Sequence, residues 1–266
     1  MMDAVYRRYS LYTKTNSKSK VLEGSVLVHL VKPQQEKTFG EYARKDFCGY
    51  LTKQFDDSTE CVDVVFDVYH SDSLKNSTRN KRGVSNYNTR ITDRTPVPKN
   101  WSNFLQCSSN KEQLFKFLAE IMCEEIKQQL LIATIGDTVR SSANISLEDL
   151  QPCNHEEGDT RVILHCRHLG LQGYSNITIR TVDSDVVILL TAFYFQLGLE
   201  KVFVAFDQGN SFKTIPVHEI ASSLGEERSK ALLFFHAFSG CDTVSAFAFH
   251  GKTTIWKTSP GKVYHM

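Results

Sequence analysis

Short blocks of apolar residues, some continuous and some spaced by threes and fours, set the rhythm of this chain. Val21 to Leu30 and Cys61 to Phe66 are compact apolar runs of strand type, the second closed by Asp67. Thr38 to Phe55 has helical spacing of apolar residues, and Asn110 to Gln128 is an amphipathic helix leading into a strand over Gln129 to Ile135. The second half alternates more regularly. His155 to Leu169 reads as a helix, Ile177 to Val182 as a strand, Val186 to Leu197 as a helix and Lys201 to Phe206 as a strand. A short helix over Pro216 to Leu224 and a longer one over Glu226 to Ser239 follow. Residues 1–20 read as a flexible basic arm, Ser73 to Gly83 as a basic helix, and 84–100, with Asn, Thr, Arg and two prolines, as a loop. Short apolar strands alternating with helices predict an α/β fold whose mainly parallel sheet is covered on both faces. No internal repeat is visible.

Composition narrows the classes open to such a chain. With 266 residues, 41% hydrophobic and 23% charged, it is built like an ordinary globular protein of one large domain, or one with a small appendage. The longest apolar run, Val186 to Phe195, is too short to span a bilayer, so no membrane partner is expected. Met1 to Lys20 is polar and basic and has no secretory core. Seven cysteines without a Cys-x-x-Cys pair point to reduced, structural thiols and away from a zinc ribbon. The expected setting is intracellular, the nucleus included. The formal net charge of +1 says little, but its distribution says more. Lys75, Arg79, Lys81, Arg82, Arg90, Arg94 and Lys99 face a single acid, Asp93. Such a segment can neutralise phosphates, although a charge run by itself is more often a solvated helix and loop.

The acids carry the candidate chemistry. Ligands of open α/β sheets bind beyond the carboxyl ends of the strands. Asp67, Asp183, Asp185 and Asp207 all follow strand candidates, and Glu157 and Asp159 sit in the first turn of a helix candidate. Gathering several carboxylates is costly unless protons or cations neutralise them. Acids without His or Cys partners favour magnesium or manganese. Two such ions can activate water and stabilise a leaving oxygen in phosphodiester cleavage. Each acid also has a plain structural role. Asn154 and Glu157 fit a capping box, Asp183 or Asp185 can cap the helix near Val186, Asp67 can begin a turn, and Asp207-Gln208-Gly209-Asn210 is a turn signal. Glu157 and Asp159, two apart, converge only in a first turn. Spacing alone does not decide between the two roles.

Two patterns mislead. His155-Glu156-Glu157-Gly158-Asp159 begins like a zinc protease motif, but Asp159 stands where the second His belongs. Gly251-Lys252-Thr253 resembles the end of a P-loop, yet Ala246 replaces its first glycine and a helix candidate precedes it where a strand is required.

Five segments follow one another in a recognisable order. They are Val64-Val65-Phe66-Asp67, Ser73-Leu74-Lys75 through Arg79-Asn80-Lys81-Arg82, Glu157-Gly158-Asp159, Thr181-Val182-Asp183-Ser184-Asp185 and Ser239-Gly240-Cys241-Asp242. In that order the chain resembles the flap endonuclease/XPG group of PIN-like nucleases, and more closely a eukaryotic branch with that fold, from about Glu23 to Lys257. The resemblance implies a three-layer α/β/α PIN-like (Rossmann-like) fold with a C-terminal helical hairpin. It implies a nuclease domain over 21–240 and a partial DNA-binding hairpin over 241–266. Glu23, Asp67, Glu157, Asp159, Asp183, Asp185 and Asp242 would hold two Mg2+ or Mn2+ ions. Lys75 and Arg82 would be catalytic, set against the scissile phosphate, while Arg79, Lys81, Gly251 and Lys252 extend the nucleic-acid surface. Two positions depart from the family pattern. Glu23 stands where the family begins with Asp, and Phe249-His250-Gly251 where its hairpin carries Gly-x-Gly.

The expectation is a divalent-metal-dependent phosphodiester hydrolase, endo- or exonuclease, that cleaves structured nucleic acid, DNA ahead of RNA. The rival is a catalytically inactive module of the same fold that binds nucleic acid or protein. A third reading is a metal hydrolase acting on a small phosphoester.

Overall fold

A computed structural model of the protein describes residues 17–68, 89–208 and 211–239. The basic helix expected over Ser73 to Gly83 and the hairpin expected over 241–266 lie outside these residues. Seven strands form one sheet: β1 (Ser19–Glu23), β2 (Cys61–Val65), β3 (Leu130–Ile135), β4 (Thr138–Ser141), β5 (Asn176–Thr181), β6 (Lys201–Gln208) and β7 (Ser211–Pro216). Their order is β4-β3-β2-β1-β5-β6-β7. The five central strands run parallel, and β4 and β7 pair antiparallel at the two edges.

Side chains of β1, β2 and β3 alternate between two cores, as the two-residue period of a pleated strand demands. From β2, Val62 and Val64, with Phe66 just beyond, enter an aromatic-rich core with α1 (Gly24–Leu30), α3 (Trp101–Gln106), α4 (Ser108–Glu125) and the composite helix α2. Helix α2 is continuous through Phe39–Glu41, a π-wound middle at Tyr42–Cys48, and Gly49–Thr52. There the Phe66 ring stacks on Phe115 at 4.6 Å, and Trp101 Nε1 donates to Val28 O at 2.8 Å. Cys61 and Val65 point the other way, against α5 (Gly158–Leu171), α6 (Ser184–Phe193) and α7 (Val217–Leu224). Helix α8 (Glu226–Phe238) then packs on α6 and α7. The result is a three-layer, Rossmann-like α/β/α arrangement.

Several expectations need correction. Val21 to Leu30 is not one strand: β1 starts earlier, at Ser19, and ends at Glu23, where α1 begins. The arm therefore does not extend to residue 20. Gly24 lies against the Phe66 ring, where a Cβ would collide, and the chain turns there so that Leu27 and Val28 fill the aromatic core. Edge strands β4 and β7 are absent from the sequence reading because they are short and only partly apolar. Between β3 and β4 the chain reverses at Gly136, whose φ of +53° suits glycine. Helix α3 is a further element that apolar spacing does not mark; Asn100 caps it by accepting from Asn103 N–H at 2.9 Å. All six described cysteines are buried and unpaired, as structural thiols should be. Burial pushes the Cys48 thiol up to about 12 and Cys123 up to about 11. Among the described residues no helix is long and apolar enough to cross a membrane.

Candidate carboxylate site

From β1 the sheet grows outward through β2 and β3 in one direction; from β5 it grows through β6 in the other. The order therefore reverses between β1 and β5. A crevice opens beyond the carboxyl ends of strands at such a reversal, because the connecting helices leave in opposite directions. Glu23 is the last residue of β1 and Thr181 the last of β5. Glu23 Oε2 accepts from Thr181 Oγ1 and Oε1 from Ser25 Oγ, both at 2.6 Å. The Thr181 hydroxyl also accepts the Asp183 N–H at 2.9 Å, so one buried threonine joins Glu23 to the entry of α6.

The other acids arrive by two routes. Asp183 is the N-cap of α6, and its Oδ1 accepts the Asp185 N–H at 2.8 Å. The capping role and membership of the acid group are thus compatible. Asp67 follows β2, whose exit is fixed by a 2.7 Å bond from Phe66 N–H to Thr134 Oγ1. Its carboxylate accepts the Gly158 N–H at 2.8 Å, and the Val68 N–H donates to Glu156 O at 2.8 Å. This two-point clamp sets Asp67 at the start of α5. The capping box expected from Asn154 and Glu157 does not form: Glu157 is the N-cap, without a side-chain cap bond, and α5 starts at Gly158. Asp67 supplies from a distant segment the acceptor that local sequence assigned to Asn154. Asp159 stands in the first turn of α5.

Six acids, Glu23, Asp67, Glu157, Asp159, Asp183 and Asp185, are therefore held half-buried around one edge of the sheet. Burial, and then repulsion from Asp183, Glu23, Asp67 and Glu157, pushes the Asp159 carboxyl up to about 8. The Glu23 carboxyl is raised as well, chiefly by burial, with Asp67 and Asp183 adding to the shift and bonds from Ser25 and Thr181 opposing it. The positive ends of α5 and α6 offset part of this charge. So does Arg161, buried in α5; burial lowers its guanidinium, with Asp67 among the charges opposing that change.

All-oxygen donors of net negative charge suit a hard divalent cation. Among the described residues, no three acidic, histidine or cysteine side chains already form a closed metal cage. Mutual repulsion nevertheless links Asp159 to Glu23, Asp67, Glu157 and Asp183, and that longer-range field is what a cation would neutralise. Asp207 lies in β6, beside β5, with its side chain outside the described set. Asp242, Lys75, Arg79, Lys81, Arg82, Phe249, Gly251 and Lys252 also lie outside it. Of the basic segment, Arg90, Arg94 and Lys99 are described and exposed, and Asp93 is paired with Arg44.

Gly158 has a definite steric reason. A Cβ there would stand 2.8 Å from Asp67 Oδ1. Gly158→Ala should displace that carboxylate and weaken Mn2+ binding roughly tenfold, the scale of losing support around a metal ligand. Calorimetric titration with Mn2+ reads this directly, and unchanged affinity would remove Asp67 from the candidate ligands.

Three contributors escaped sequence reading. Thr181 and Ser25 show only as hydroxyls beside acids, and His236, whose Nε2 is 3.1 Å from Asp185 Oδ1, lies 51 positions further along the chain (236 − 185). A surface cavity of about 410 Å³, lined in part by Lys18, Glu60, Asn176 and Glu200, sits at the opposite, amino ends of the strands. It shares no residue with the acid group. No protein-family model matches the chain, and no curated protein matches it significantly.

Proposed function

We propose that the protein is a PIN-like, divalent-metal-dependent nuclease that cleaves phosphodiester bonds in structured nucleic acid. One observation carries the reading: acids from the ends of β1, β2 and β5 and from the start of α5 bear on one another, and their repulsion adds to burial in raising Asp159 to about 8. Stability alone gives no reason to gather half-buried like charges at a strand-order reversal. The order of the motifs supports the nuclease class in particular.

In this reading Glu23, Asp67, Glu157, Asp159, Asp183 and Asp185 hold Mg2+ or Mn2+, with Asp242 added by the resemblance. The bound cations supply activation of water and stabilisation of the departing oxygen. Ser25 and Thr181 orient Glu23, Gly158 leaves room for Asp67, and the first turns of α5 and α6 fix the remaining carboxylates. Lys75 and Arg82 are the proposed phosphate contacts, with DNA ahead of RNA as substrate.

Cleavage of flap, hairpin and single-stranded substrates with Mg2+ or Mn2+ tests this. The Asp183→Ala, Asp185→Ala double variant should cut about 10³-fold more slowly, corresponding to about 4 kcal/mol of lost transition-state stabilisation. Equal rates for wild type and variant would overturn the enzyme reading. Tight binding of nucleic acid without cleavage would favour the inactive module, and turnover confined to small phosphoesters would favour the third reading.

A further inference from the structure

One nitrogen stands against Asp185, at the start of α6. His236 lies in the last turn of α8, next to the buried Phe235, and that helix packs against α6. Its imidazole is mostly covered, and Nε2 itself is out of reach of solvent. That atom lies 3.1 Å from Asp185 Oδ1. Two neighbouring ligands of an octahedral ion, each about 2.1 Å from it and at right angles, are about 3.0 Å apart. The His236–Asp185 separation is therefore the edge of a coordination octahedron as well as a hydrogen-bond length.

We propose that His236 Nε2 is a nitrogen ligand to the cation held at Asp185 and biases the site toward manganese over magnesium. The inference rests on the carboxylate group holding a divalent cation. Magnesium takes oxygen donors almost exclusively, whereas a neutral imidazole strengthens binding of first-row metals in the order manganese, iron, cobalt. The resemblance implies acids alone as ligands, so a nitrogen donor distinguishes this chain. Asp185, in the first turn of α6, and His236, carried by a separate helix, would place the ion where α6 and α8 meet.

Mn2+ alone, added to the full chain, is the probe. Pulsed electron paramagnetic resonance should show a directly bound 14N that changes to the 15N pattern when the protein is made with 15N-histidine. His236→Gln should abolish that coupling and lower the ratio of Mn2+ to Mg2+ affinity roughly tenfold in calorimetry. Asp185→Asn provides a second variant, and should weaken the nitrogen coupling and Mn2+ affinity together. Mn2+ that binds without nitrogen coupling in the wild type overturns the role of His236 and leaves the carboxylate reading standing. Wild-type protein that binds no Mn2+ overturns the carboxylate reading, and the inference falls with it.

Discussion

Asp159→Asn is expected to make the cation-free protein more stable at alkaline pH and to remove most of its response to Mn2+. The sign follows from Asp159's protonation. Its carboxyl has an ordinary value of 3.8 and is held at about 8 in the fold. Below about pH 4 both folded and unfolded chains carry the proton. Between 4 and 8 the folded chain keeps a proton that the unfolded chain has lost, so the contribution to stability falls as pH rises. Above about 8 the penalty is complete, on the order of a few kcal/mol. The raised Glu23 acts in the same direction. A bound divalent cation replaces the missing proton and restores stability, by about 2.7 kcal/mol at a hundredfold excess over Kd. Wild-type protein should therefore melt lower at pH 8.5 than at pH 6, and Mn2+ should raise its melting temperature more at pH 8.5. Asparagine lacks the titration, so the variant should lose most of both effects. Thermal melts from pH 5 to 9, with and without Mn2+, measure this. Parallel wild-type and variant curves would show that Asp159 does not feel the other acids.

The second large effect is structural and lies behind the site. Asp63 sits in β2 with no exposed surface, on the face covered by α5. His165 Nδ1 lies 2.6 Å from Asp63 Oδ2, and the Cys61 thiol donates to Oδ1 at 3.2 Å. A carboxylate can only accept, so His165 carries its proton on Nδ1. The same helix bears Asp159 in its first turn, which makes the Asp63–His165 pair a bolt between the sheet and the helix presenting the acids. Asp63→Ala strands two buried donors and should cost about 3–5 kcal/mol of folding stability. That is a large part of the roughly 5–15 kcal/mol available to a domain. Replacing both partners with apolar residues should cost much less than either single change, because only the weak thiol donor of Cys61 is then left alone. Urea unfolding of the two single variants and the double variant tests the coupling. Additive losses would mean that the two side chains act independently.

How far each feature was legible depended on how local its cause is. The cores of β2, β5, β6, α5, α6 and α8 were readable from two- and four-residue spacing, with ends displaced by a few residues. Val21 to Leu30 misled because its apolar content fits a strand and a short helix equally well, and the close approach of the Phe66 ring to Gly24 at the junction is a tertiary contact. Asp63 carries no local signal inside an apolar strand, since its partner lies 102 positions away. The cap of α5 was assigned to Asn154 when the acceptor is Asp67, 91 positions from the Gly158 N–H it receives. The role of Asp183 as a cap was legible, being a contact between residues two apart.

By itself, then, the sequence determined that this chain builds short buried strands separated by amphipathic helices, and that acids follow several of those strands. Both are properties of neighbouring residues, and period and composition express them directly. Which strands stand side by side was decided only in three dimensions, because parallel pairing depends on how the crossover helices pack. That choice puts β1 beside β5, makes the strand-order reversal, and turns Glu23, Asp67, Asp159 and Asp183 into half-buried neighbours, so that burial and then their repulsion lift one carboxyl to about 8. Repulsion between charges depends on their separation in space, which distance along the chain does not reveal.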